Sequence, residues 1–115
     1  MDFEPRPITN AEIEVVLTAL RVAPDVPVDE GALAAVPQLQ VVRLCGCGCA
    51  SVDFEHGGRS DRRAGVVAET VGETASGRFV WVDVWGRADA ITGLEISSVE
   101  TGLDELPIVA TIRPG

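Results

Sequence analysis

The chain has no lysine, no tyrosine, a single histidine and a single methionine, and aromatic residues make up only 4% of its 115 positions. Its nine basic residues are all arginine and face 18 acidic ones, a formal net charge of -9. That shortage of cations excludes ordinary nucleic-acid binding, whose affinity rests on neutralising phosphates with Lys and Arg. It also excludes electrostatic attachment to an anionic membrane surface. No apolar run approaches the ~18–20 residues needed to cross a bilayer. The opening Met1-Asp2-Phe3-Glu4-Pro5 is acidic and has no basic stretch followed by an apolar one, so no export signal is expected there. The three cysteines, Cys45, Cys47 and Cys49, lie within five residues. A secreted disulfide scaffold would spread an even number along the chain, so a reducing, cytoplasmic setting is expected.

What is present is apolar: 46% of the residues, enough to bury a core as one domain over residues 1–115. Thr9-Asn10-Ala11-Glu12 has the form of a capping box, and Ile8 and Ile13 have the spacing of a hydrophobic staple. Ile13, Val16, Leu17 and Leu20 then fall on one helical stripe, and Pro24 stops it. A helix over 10–22 follows. Asp29 starts a short second helix through Ala35, closed by Pro37.

Beyond Pro37 the pattern turns strand-like, with runs at 39–44, 50–54, 65–71, 78–85 and 90–98. Setting Gly86 opposite Ala90 puts Val80, Val82 and Val84 on one face with Thr92, Leu94 and Ile96. A slip of one residue would break that apolar surface. The expected fold is α+β: a two-layer domain with an antiparallel meander of about four to five strands, its valine face covered by the N-terminal helix. Leu103, Leu106, Pro107, Ile108 and Val109 give the tail enough apolar surface to pack back onto the body.

Two places carry candidate chemistry. Cys45, Cys47 and Cys49, with Asp53 and His56 nearby, have the residue types of a zinc or thiol site, and His56 as fourth ligand would complete a tetrahedron. Single-residue spacing argues the other way. Alternate side chains on a strand stand roughly 6.5–7 Å apart, and thiolates sharing one zinc must come within about 4 Å. The preferred reading is small, mostly buried thiols on a glycine-softened strand. The second place is the other face of the last hairpin, with Phe79, Trp81, Asp83 and Trp85 facing Ile91, Gly93 and Glu95. In the register above, Asp83 lies opposite Gly93 and diagonal to Glu95. Two carboxylates among aromatics is a shape glycoside hydrolases use, and also that of an ordinary half-exposed sheet. Exposed tryptophans on a monomer call for a cover: the C-terminal tail, the 55–63 loop or another subunit, with the tail or a partner such as a second copy in a homodimer preferred over an active site. Phosphate loops, dinucleotide fingerprints and nucleophile elbows are absent from the sequence, and Ser60-Asp61-Arg62-Arg63 is a solvated turn.

The segment Arg43-Leu44-Cys45-Gly46-Cys47-Gly48-Cys49-Ala50-Ser51-Val52-Asp53-Phe54, followed by Gly93-Leu94-Glu95-Ile96 and Leu106-Pro107, resembles a group of small uncharacterised bacterial proteins. These carry a Cys-Gly-Cys segment leading into a strand and a Gly-Leu-Glu strand near the end. The resemblance covers roughly residues 40–107 and implies one α+β domain with no established activity. The chain is therefore expected to be a non-enzymatic domain acting through protein or small-ligand contact. The alternative is a metal- or thiol-dependent site on Cys45, Cys47 and Cys49.

Overall fold

The computed structural model describes residues 4–45, 49–100 and 103–115. Helix α1 spans Asn10–Val22. The Thr9 hydroxyl accepts from the Glu12 backbone N–H at 3.1 Å, and the Glu12 carboxylate accepts from the Thr9 N–H at 2.9 Å, so the capping box is closed. Glu12 also takes a two-pronged bond from the Arg6 guanidinium, both arms 2.9 Å. Arg6 belongs to β1 (Arg6–Pro7). Helix α2 spans Glu30–Ala35 and runs into a 3-10 turn, Val36–Gln38. Asp29 is at its N-cap position, without a side-chain capping bond.

The sheet has seven strands, not four to five. Besides β1 they are β2 (Gln40–Leu44), β3 (Val52–Phe54), β4 (Gly65–Glu73), β5 (Phe79–Arg87), β6 (Ala90–Ser97) and β7 (Arg113–Pro114). Their order is β1-β2-β3-β6-β5-β4-β7, and every pairing is antiparallel. β1, β2 and β3 form one run of consecutive neighbours and β4, β5 and β6 another, joined through β3 and β6, so a single simple meander is corrected. β3 pairs with β6, and the segment after β3 carries the chain to the far side of the sheet. The two extra strands are two residues each and contain Pro7 and Pro114, tolerable only because both lie at sheet edges. β4 is lined on its outer side by β7, by a Pro24–Ala68 bridge and by a Thr74–Pro107 bridge.

The last hairpin turns at Ala88-Asp89, and a bulge falls between Trp85 and Gly86. Val84 faces Leu94, Val82 faces Ile96, Asp83 faces Glu95 and Trp85 faces Gly93. This register differs from the expected one by two residues, because the bulge takes up what a longer loop would have supplied. A shift of two preserves which side the residues from Gly93 to Ser97 face; past the bulge the shift is one, so Ile91, expected on the outward face, is instead buried in the core. Val80, Val82, Val84, Leu94 and Ile96 are accordingly buried with Val15, Val16, Ala19 and Phe54 in one core cluster, and Ile13 and Leu17 pack against it. The tail packs on this same side, with Pro107, Thr111 and Ile112 against Gly72, which faces Val80. Among the described residues no helix is long and apolar enough to cross a membrane.

Candidate functional site

The side of the sheet turned away from α1 is built from the odd residues of β5. Phe79 faces Glu73, and Trp81 sits between Val71 and Ser97. Asp83 sits between Glu69 and Glu95, and Trp85 between Val66 and Gly93. Phe79 and Trp81 meet edge to face, ring centroids 5.0 Å apart and planes at 89°. They remain 43% and 42% exposed. The tail does not cover them, as that exposure shows; that expectation is corrected. Asp83 is directly opposite Glu95 rather than diagonal to it, and Glu69 extends the pair into a row of three carboxylates across β4, β5 and β6.

The row changes the chemistry of its central member. The Asp83 carboxyl is pushed up to about 6, first by its own partial burial and then by the charges of Glu95, Glu69 and Asp25. Glu95 is held in place at its other side: the Trp85 indole N–H donates to Glu95 Oε1 at 3.1 Å, and Arg59 Nη1 lies 4.0 Å from Oε2.

Arg59 reaches the face because of the chain path just before it. His56, Gly57 and Gly58 have φ of 76°, 106° and 63°, all in the left-handed region. They fold the chain back into a 3-10 turn, Gly58–Ser60, that packs against β3, β5 and β6. Arg59 then donates to Asp53 Oδ1 from its backbone N–H at 3.1 Å and from Nε at 2.7 Å. Asp53 is only 5% exposed. Burial is the largest influence on Arg59 and acts against its charge, but the Asp53 bond together with the negative charge of Asp53 and Glu95 around it leaves its pKa raised. Two glycines make the room: a Cβ on Gly58 would lie 2.9 Å from Asp53 Cβ, and one on Gly93 would lie 2.6 Å from Arg59 Cγ. This loop thus covers the β3–β6 end of the face and leaves the Phe79–Trp81 end open.

Arg59 and Glu95 also form one wall of a cleft of about 250 Å³, with Cys45, Cys49, Ser51 and Leu103 among its other lining residues. Cys49 Sγ is 3.3 Å from Ser51 Oγ. Ser51 in turn accepts from the Ile96 N–H at 2.8 Å and donates to the Ile96 carbonyl at 3.3 Å, a side chain standing in for ladder bonds just before β3 begins. Cys45 and Cys49 are half-buried, so the described thiols are more open than the structural reading supposes. Cys47 lies outside the described residues. His56 is exposed and is not among the residues lining the cleft. Among the described residues no three His, Cys, Asp or Glu side chains are grouped as a metal ion needs.

Phe79, Trp81, Asp83, Trp85 and Glu95 are therefore on one face, while His56 is separate from the cysteine cleft. Sequence reasoning missed Arg59 and Glu69. The Gly57-Gly58 pair signals the backward turn that delivers Arg59, and pairing β4 with β5 would have put Glu69 beside Asp83. No family model, no curated protein and no solved structure matches the chain.

Proposed function

We propose that the chain is a non-catalytic binding domain, one unit working in a reducing cytoplasm, whose recognition surface is the side of β4, β5 and β6 turned away from α1. The observation that carries this is the Phe79–Trp81 pair, two aromatics packed edge to face and left more than two-fifths exposed. Large apolar rings facing water contribute little to the fold and much to a contact. The hydrolase alternative has one supporting feature, the raised Asp83 carboxyl. Asp83 does not line the cleft beside it, however, and sits on a strand face between two other carboxylates.

The test is the double variant Phe79→Ser/Trp81→Ser. Its thermal midpoint should stay within about 4 °C of the parent, because exposed substitutions change stability by roughly 0.5 kcal/mol. Affinity capture from cell extract should recover partners with the parent and lose them with the variant. A variant that captures the same proteins as the parent, or that unfolds, would remove the reading.

A second reading is favoured by Cys45 and Cys49 lining one cleft with Arg59: a thiol-dependent site, with zinc as its metal. Elemental analysis of protein purified without chelator decides it. Stoichiometric zinc that disappears in Cys45→Ser/Cys49→Ser supports the site; no zinc, with all thiols titrating at the rate of free cysteine, ends it.

A further inference from the structure

Resting on that reading of the aromatic face, we infer that its occupant is an extended, arginine- or lysine-bearing segment of a partner protein, with cationic side chains over Trp81 and against the Glu69–Asp83–Glu95 row. The face combines two features that recognise the same chemistry. An indole attracts a guanidinium or ammonium placed within roughly 6 Å of its ring. The carboxylate row lies one step further along β5, about 7 Å away, the distance between alternate residues of a strand. An extended segment with cations at alternate positions places one on the ring and the next on the acids.

The row is open to such a cation. Its one basic neighbour among the ion pairs of the described residues is Arg59, 4.0 Å from Glu95 and already bound to Asp53 at 2.7 Å. Glu69 and Asp83 form no ion pair among the described residues. Glu73, at the Phe79 end, differs: Arg113 from β7 holds it at 2.8 Å. The charge is therefore left unbalanced beside Trp81, while the flanking acids are matched from within the chain.

Charge also decides against a second copy. Stacking two of these faces would bring two carboxylate rows together on molecules of net charge -9 each. A basic partner removes that repulsion, and the acidic chain as a whole speeds its approach.

The test uses a fluorescein-labelled octapeptide of alternating arginine and serine, its glutamate-for-arginine counterpart, and anisotropy at physiological ionic strength. Three variants are compared with the parent: Trp81→Ala, Asp83→Asn and Glu14→Gln. Glu14 is an exposed residue of α1, on the opposite layer, and its replacement removes the same charge as Asp83→Asn. The arginine peptide should bind and quench tryptophan fluorescence. Trp81→Ala and Asp83→Asn should each weaken it by about fivefold or more. Glu14→Gln should change affinity less than about twofold, and the glutamate peptide should not bind. Equal weakening by Asp83→Asn and Glu14→Gln would show only a response to net charge and overturn the inference. Light scattering that shows a dimer broken by Trp81→Ala, without peptide binding, would overturn it while leaving the face as a recognition surface. A monomer whose parent and Trp81→Ala forms respond identically to both peptides would overturn both.

Discussion

Thr92 is fully buried, and its hydroxyl has no hydrogen-bond partner among the described residues. It is the extra residue of the bulge, between the Trp85–Gly93 and Gly86–Ile91 pairs. A buried hydroxyl without a partner costs about 1–3 kcal/mol, and valine has nearly its shape. Thr92→Val should therefore stabilise the fold by about 1 kcal/mol, read as a rise of roughly 4 °C in thermal midpoint. A fall would mean that the hydroxyl is satisfied within the bulge. Gly58 gives the opposite case. Its φ of +63° and the 2.9 Å approach to Asp53 leave no space for a methyl group. Gly58→Ala should cost about 1–3 kcal/mol and dislodge Arg59 from Asp53. Urea unfolding checks the first effect. The second should appear as a change in Trp85 emission, because Arg59 and the Trp85 indole both hold Glu95.

Among the elements, α1 was the most legible, because its determinants are local. A cap, a staple and an apolar stripe within thirteen residues need no knowledge of the rest of the chain. The cap bears more than the pattern showed, since Glu12 also anchors β1 through Arg6. Burial of Glu12 acts to raise its pKa. The Arg6 bond, with the Thr9 backbone bond, outweighs that, and the net position is below the ordinary carboxylate value. A carboxyl so depressed adds stability that is present above its unfolded pKa and is lost as pH falls through the folded one. Glu12→Gln should cost about 1–2 kcal/mol at pH 7 and make the acid limb of the stability curve shallower. An unchanged acid limb would show that Arg6 and Thr9 do not hold the charge.

The sheet elements were legible in proportion to their length. β4, β5 and β6 have enough alternation to fix which side is buried, and period two makes that assignment immune to a shift of two. The same property hides the true register, so Asp83 was set opposite Gly93 instead of Glu95. β1 and β7 are too short to leave a pattern; they exist because β2 and β4 offer them backbone partners. In the candidate site, the strand residues Phe79, Trp81, Asp83, Trp85 and Glu95 were readable from alternation. Arg59 was not, because a loop delivers it from a distant point in the fold.

At the scale of the whole molecule, the β3–β6 pairing organises everything the outward face does. It sends the connection after β3 back over the sheet, places Arg59 and Asp53 at one end, and leaves the acidic row with too few cations. A fold so arranged keeps a charge where its own stability would prefer none. The Asp83 carboxyl, pushed up to about 6, binds a proton more tightly folded than unfolded. Between the unfolded value near 4 and about 6, the native state therefore holds more protons, and stability rises as pH is lowered through that window. Asp83 is only partly buried, so solvent screening limits the gain to about 1 kcal/mol. Asp83→Asn should be more stable than the parent by that amount at pH 7, and the two should converge near pH 4. The arginine peptide should respond in the opposite direction, losing affinity in the parent as pH falls below about 6, because the proton and the guanidinium compete for one carboxylate. Urea unfolding of parent and variant at pH 7 and pH 4, run beside the peptide titration at the same values, checks both. A parent whose stability falls between pH 7 and 5 while the variant's stays level would reverse the sign and place the Asp83 charge among the fold's supports.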